Sequence, residues 1–171
     1  MFFSTDGNEI ETGPMKGTIR RGINNLYDRL NKKMLRNGEK FRAENIMILD
    51  LLRNDVGRIS EFGSVQVTKL FKVEKYESLF QMISGTKSTL HKDTNLKKIL
   101  MNIFPCGSIT GAPKIRTMEI IHELENEKRG IYTGAIGMIK KDKITFNVAI
   151  RTLLINKKSG AGEIGIGSGL K

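Results

Sequence analysis

Ile144-Thr145-Phe146-Asn147-Val148-Ala149-Ile150-Arg151-Thr152-Leu153-Leu154-Ile155 decides how this chain is read. Ile144, Phe146, Val148 and Ile150 share one side of an extended chain, and Asn147, Ala149, Arg151 and Leu153 share the other. Lys140-Lys141-Asp142-Lys143 separates this run from residues 132–139, which predicts an antiparallel hairpin. The end of the chain is therefore β, and another strand begins within residues 163–170. Working back, Gly107-Ser108-Ile109-Thr110-Gly111-Ala112-Pro113-Lys114 leads into a helix with Pro113 in its first turn. Ile115, Met118, Ile121 and Leu124 are its expected buried stripe, and Lys128, Arg129 and Gly130 its expected end. Residues 96–103 predict a short helix. Ala43, Ile46, Met47 and Leu51 predict a longer one over 39–54, preceded by a helical stretch from about residue 24. Val65, Val67 and Leu70 suggest a strand extended by 71–73. Residues 8–12 suggest another, broken by Gly13-Pro14, and 17–22 read as a loop.

The chain has 171 residues, the size of one domain. Hydrophobic residues make up 39% and charged residues 27%, which excludes a collagen-like, coiled-coil or wholly disordered chain. No apolar run approaches the ~20 residues a membrane helix needs. Its first residues have no basic segment followed by a long apolar one, so no secretory signal is read there. A single cysteine, Cys106, cannot form an internal disulfide and suits a reducing, cytoplasmic setting. The net charge of +11 favours an anionic partner. Its lysines, however, fall in scattered pairs and its aromatic residues are dispersed, so nucleic acid is disfavoured and a small anion fits equally well.

Among residues that could carry chemistry, the segment before the Pro113 helix offers the hydroxyls of Ser108 and Thr110. Gly107 and Gly111 would let backbone N–H groups approach a carboxylate or phosphate. An ordinary Ser/Thr cap with a glycine turn accounts for the same residues. Arg151, on a partly apolar strand face, requires an anion, either a protein carboxylate or a ligand. Glu44 precedes the apolar run Ile46-Met47-Ile48-Leu49 and requires a cation or hydrogen-bond donors; lysine, arginine and Mg²⁺ all qualify, a salt bridge being the commoner outcome. Lys16 could act as a nucleophile if its amine is unprotonated, but so could any of many lysines. His91 and His122 have no partner at metal-ligand spacing, and Cys106 reads as a small packed side chain.

Five ordered runs resemble the chorismate-utilising enzymes, with the aminodeoxychorismate synthase component I (para-aminobenzoate synthase) branch the most similar. They are residues 10–18 (Ile10-Glu11-Thr12-Gly13-Pro14-Met15-Lys16-Gly17-Thr18), residues 42–55 from Arg42-Ala43-Glu44-Asn45 to Arg53-Asn54-Asp55, residues 107–114, residues 129–137, and Ala149-Ile150-Arg151-Thr152. The resemblance implies an α+β fold with antiparallel sheets, packed helices and a site in a deep cleft. It implies chorismate as substrate with Mg²⁺ on the ring carboxylate and Glu44 as a metal ligand. Substrate contacts fall at Ser108, Thr110, Gly111, Tyr132, Arg151 and the backbone around Gly167.

Lys16 is the branch point within that resemblance. Anthranilate synthases usually carry alanine there, whereas aminodeoxychorismate synthases carry a lysine that attacks the ring. Ammonia from a glutamine amidotransferase partner then displaces it, giving 4-amino-4-deoxychorismate for para-aminobenzoate and folate synthesis. Gln81 stands where many relatives have histidine, and Cys106 where glycine is common. The family also carries a Ser-Pro-Glu run just before the position of Met1 and a second magnesium carboxylate beyond that of Lys171. On that comparison residues 1–171 are expected to be a partial domain, truncated at both ends and inactive alone. The competing expectation is a catalytically dead fragment that binds only an anion or a partner subunit.

Overall fold

The computed structural model describes residues 1–167. Thirteen elements follow in order: β1 (Phe3–Thr5), β2 (Glu9–Thr12), β3 (Met15–Arg20), α1 (Asn25–Asn37), α2 (Glu39–Gly57), β4 (Gln66–Lys75), β5 (Leu79–Thr89), α3 (Leu96–Ile103), α4 (Lys114–Leu124), β6 (Ala135–Ile139), β7 (Ile144–Val148), β8 (Leu153–Ile155) and β9 (Gly162–Ile164). β1 to β7 form one seven-stranded sheet, antiparallel at every pairing, and β8 and β9 pair separately. The fold is α+β with antiparallel sheets, as expected.

β5 is the centre of the sheet. β4 runs along one edge, from Gln66 opposite Lys87 to Lys75 opposite Phe80. The other edge is shared: β3 pairs with its first half, Arg20 opposite Leu79, and β2 with its second, Glu9 opposite Thr89. β2 continues to β1, β1 to β7 and β7 to β6, so the hairpin read from the end of the sequence docks beside the start of the chain.

Phe80, Met82, Ser84, Thr86 and Ser88 alternate along β5 and are all buried. At one end Phe80 and Met82 pack with Leu35, Ile19 and Phe41. The stripe then turns polar, and each buried hydroxyl has a partner: Ser84 with Asn45, Thr86 with Thr12 at 2.7 Å, Ser88 with Ser60 at 2.7 Å. That satisfaction allows polar groups beneath α2 without an unpaired-group cost. A larger apolar cluster joins Phe2, Phe3 and Ile10 to Val56, Ile59, Ile99 and Ile103, uniting the N-terminal strands with α2 and α3. Asn24 and Asn95 cap α1 and α3 through their side-chain oxygens.

Four expectations are corrected. Residues 17–20 belong to β3, not a loop: a bulge between Met15 and Thr18, with Gly17 at φ +99°, absorbs one extra residue while β5 supplies the pairing. The long C-terminal strand stops at Val148 and resumes as β8, so Arg151 lies in a bend at φ +52°, not on a strand face. α4 ends at Leu124, before Lys128, Arg129 and Gly130, and Pro113 is its cap rather than its first helical residue. Its stripe is not buried: Ile115 is 75% and Leu124 71% exposed. β5 had no counterpart in the sequence reading.

Candidate functional site

The bulge in β3 is held from two sides. Asn45, buried in α2, donates its side-chain N–H to the Lys16 carbonyl at 3.1 Å and accepts a hydrogen bond from the Ser84 hydroxyl. Gln81 of β5 donates to the Gly17 carbonyl at 2.8 Å and accepts from the Thr18 hydroxyl at 2.8 Å. The Lys16 peptide is therefore fixed against α2, one residue along that helix from Glu44. Lys16 and Glu44 are both half-buried, and neither side chain is in an ion pair among the described residues. The protein salt bridge that would have accounted for Glu44 is not formed there.

Glu44, Leu51 and Asp55 lie on one stripe of α2, since seven and eleven residues are each within about 20° of whole turns. Two of these positions carry the segment ahead of α4. Gly107 sits on Leu51, where a Cβ would come 3.3 Å from Leu51 Cδ1. Lys114 forms a largely buried ion pair with Asp55. Between these anchors the Cys106 carbonyl accepts from the Ile109 N–H at 3.1 Å and the Thr110 hydroxyl at 3.3 Å, while Ser108 Oγ lies 3.1 Å from Cys106 Sγ. Gly111 has φ +143°, a backbone state open to glycine, with Thr117 packed against it. α2 thus presents its Glu44 stripe to the Ser108–Gly111 segment.

The remaining candidates gather around Tyr132. Thr110 and Tyr132 line one cavity of about 540 Å³ together with Met118 and His122. Arg129 reaches over the Tyr132 ring at 5.9 Å, donates to Thr133 Oγ1 at 3.2 Å and pairs with Glu125 at 2.6 Å. Its guanidinium holds the Glu125 carboxyl below the usual carboxylate range. Gly165 and Gly167 lie directly against Tyr132: a Cβ on Gly167 would overlap the phenol oxygen, and one on Gly165 the ring. Thr133, at φ +62°, donates its N–H to the Ala149 carbonyl at 2.8 Å, and Ala149 donates back to Gly134 at 2.9 Å. Arg151 follows two residues later, exposed, with no ion pair among the described residues.

The structure therefore ties the Lys16 backbone to Asn45, the neighbour of Glu44 in α2, and brings together Thr110 with Tyr132 and Tyr132 with Gly167, while Arg151 is tied to the Tyr132 loop through Ala149. Sequence reasoning missed Asn45, Gln81, Arg129 and the Asp55–Lys114 pair as positioning groups. Asn45, Asp55, Lys114 and Arg129 all lie inside the family-like runs, and burial is what separates Asn45 and Asp55 from ordinary polar residues. Among the described residues no three His, Cys, Asp or Glu side chains converge as a preformed metal cage. A half-buried Glu44 without a protein cation fits a single carboxylate ligand for a hard cation such as Mg²⁺, which takes the rest of its shell from substrate and water. No described helix is long and apolar enough to cross a membrane.

The sequence profile of the chorismate binding enzymes matches residues 1–170. Similar proteins include aminodeoxychorismate synthase component 1 of Bacillus subtilis, 41% identical over 170 residues that cover 96% of this chain and 36% of that protein. Anthranilate synthase component 1 1 of Haloarcula marismortui is 45% identical over 151 residues, covering 87% and 31%. The crystal structure of anthranilate synthase component I from Streptococcus pneumoniae superposes with a TM-score of 0.77 at 38% identity, covering 89% of this chain and 33% of that one. The menaquinone-specific isochorismate synthase of Escherichia coli shares the fold, with a TM-score of 0.79 at 16% identity, covering 89% and 35%. The chain thus spans about a third of the length of each of these proteins.

Proposed function

The chain belongs to the chorismate binding enzyme family, and within it we propose an aminodeoxychorismate synthase component I, the enzyme that makes 4-amino-4-deoxychorismate from chorismate and ammonia. Overall similarity does not choose this member, because aminodeoxychorismate and anthranilate synthases match at comparable identity. Lys16 carries the choice: it supplies an amine nucleophile where the anthranilate branch usually has alanine, and its backbone is clamped by Asn45 beside Glu44.

In this reading the Lys16 amine forms a C–N bond to the chorismate ring, and one amine proton leaves with the ring hydroxyl as water. Ammonia then bonds to the carbon that lost the hydroxyl, the bond to Lys16 breaks with its electron pair returning to Nζ, and a proton passes from the incoming nitrogen to Nζ. Chorismate plus ammonia thus gives aminodeoxychorismate plus water. Glu44 would hold magnesium, which would supply Lewis-acid neutralisation of the ring carboxylate. Arg151, Tyr132, Ser108, Thr110, Gly111 and the Gly167 backbone serve the substrate's carboxylates and orient the ring. A glutamine amidotransferase partner is the proposed ammonia source.

The test uses the intact protein with chorismate, magnesium and ammonia, with products separated by chromatography. The wild type is expected to yield aminodeoxychorismate, and Lys16→Ala to lower its formation by at least about 100-fold. Chorismate binding is expected to persist in that variant, because the carboxylate contacts remain. Anthranilate as the wild-type product would move the protein to the other branch. Unchanged turnover by Lys16→Ala would remove Lys16 from the chemistry.

A further inference from the structure

A second cavity, also of about 540 Å³, opens between α1, α2 and β4, and five cations line it: Arg29, Lys32, Lys33 and Arg36 from α1, and Arg42 from α2. No carboxylate lines it, and among the described residues none of the five is in an ion pair. The four α1 residues recur at i, i+3, i+4 and i+7, so they share one helix face and repel one another there. An isolated helix is weakened by such an arrangement, and an anion would relieve it.

Arg42 is not a loose surface side chain. Its guanidinium lies 4.7 Å from the centre of the Phe71 ring. Phe71 itself sits at φ +53°, a conformation non-glycine residues avoid, inside a bulge where β4 shifts register between Lys69 and Lys72. Its N–H is held by the Ser84 hydroxyl at 3.2 Å. The bulge thus supports an aromatic seat that pre-orients one guanidinium toward the basic face of α1. Arg42 lies about 200° around α2 from Glu44, so this cavity is on the far side of that helix from the proposed substrate site.

We propose that this cavity is a second anion site, for a small ligand carrying two or more phosphate groups. Guanidinium groups bind phosphate oxygens in pairs, and the two lysines add point charges around them. Recognition ends at the phosphates, because Arg42 already covers a face of Phe71, the only aromatic ring in the lining.

Titration calorimetry on the intact protein, with tripolyphosphate as the probe, tests the site. Saturable one-to-one binding is expected, weakened by added salt as phosphate contacts are. Lys32→Glu with Lys33→Glu is expected to lower affinity by at least about tenfold, and Arg42→Gln to lower it separately. Lys140→Glu with Lys141→Glu makes the same charge change in the β6–β7 turn and is expected to leave binding within about twofold. ATP binding as well as tripolyphosphate, and no better, would assign recognition to the phosphates alone; ATP binding much better would overturn that part of the proposal. Equal weakening by both lysine pairs would reduce the effect to net charge and overturn the site, as would the absence of saturable tripolyphosphate binding. A single-stranded oligonucleotide that outcompetes tripolyphosphate and loses affinity in the α1 variant would replace the small ligand with nucleic acid.

Discussion

At the scale of the residue, Gly167 and Tyr132 meet too closely for any larger side chain. The nearest atom to an added Cβ is the phenol oxygen, and the next, the ring carbon bearing it, is at an ordinary 3.6 Å. Gly167→Ala is therefore expected to displace either the glycine backbone or the phenol and, on the proposed function, to raise the KM for chorismate about tenfold or more. Tyr132→Phe removes only the clashing oxygen. In that background Gly167→Ala should cost little further, and a double-mutant cycle on kcat/KM should show the two changes strongly coupled. Additive effects would separate them.

At the scale of the element, two ion pairs fix helices in place. Lys114 and Asp55 join the start of α4 to the last turns of α2, with side chains only 16% and 9% exposed. Lys114→Met leaves a buried carboxylate without its cation and is expected to cost about 3 kcal/mol in denaturant unfolding. Adding Asp55→Leu should restore most of it. The second pair holds α1: Arg21 Nε donates to both Asp28 oxygens at 2.8 Å, its Nη2 donates to Asp28 as well, and the Gly22 N–H adds a fourth hydrogen bond at 2.7 Å. The Arg21 hydrogen bond, followed by that of Gly22 and the Arg21 charge, holds the Asp28 carboxyl below its usual value. Its contribution to stability is thus complete above the unfolded carboxylate pKa of about 3.9 and is lost as pH falls through the lower folded value. Arg21→Gln should flatten that part of an acid-unfolding curve while leaving the curve above about pH 5 parallel to the wild type.

At the scale of the whole molecule, β5 has ladder partners on both edges for most of its length, while β8 and β9 form a two-stranded sheet whose residues are all exposed. A two-stranded ribbon is marginal in water. Native-state hydrogen exchange of this chain should therefore be slowest along residues 80–87 and fastest in β8 and β9, by at least about 100-fold. Comparable protection in both would mean that the small sheet is covered by something else in solution. Because β1 joins β2 to β7, a change that loosens Phe3 should reach the hairpin near the other end of the chain, through its stacked ring pair with Phe146 at 5.2 Å.

What the sequence determined by itself is local. α1, α2 and α3 are legible as helical stretches, and the β6–β7 hairpin follows from alternation around a charged turn. α2 is read from the spacing of Ala43, Ile46, Met47 and Leu51, although its buried face is carried by Ile48, Leu49, Leu52 and Val56 while Ile46 and Met47 are exposed. The ordered motifs around Lys16, Glu44 and Gly107 identified the family, because residue types and their order survive without coordinates. Tertiary structure decided the rest. β3 is a strand only because β5 pairs with it across a bulge, and no local signal encodes that partner. The Ile115 and Leu124 periodicity of α4 marks an apolar face but cannot say what covers it, and here those residues are exposed. Arg151 continued the alternating pattern in sequence yet sits in left-handed backbone after the strand ends. The groups that hold the candidate site, Asn45, Gln81 and the Lys114–Asp55 pair, act between residues far apart in the chain. Hydrogen bonds and ion pairs of that kind are set by which elements pack together, and packing is a property of the folded chain as a whole.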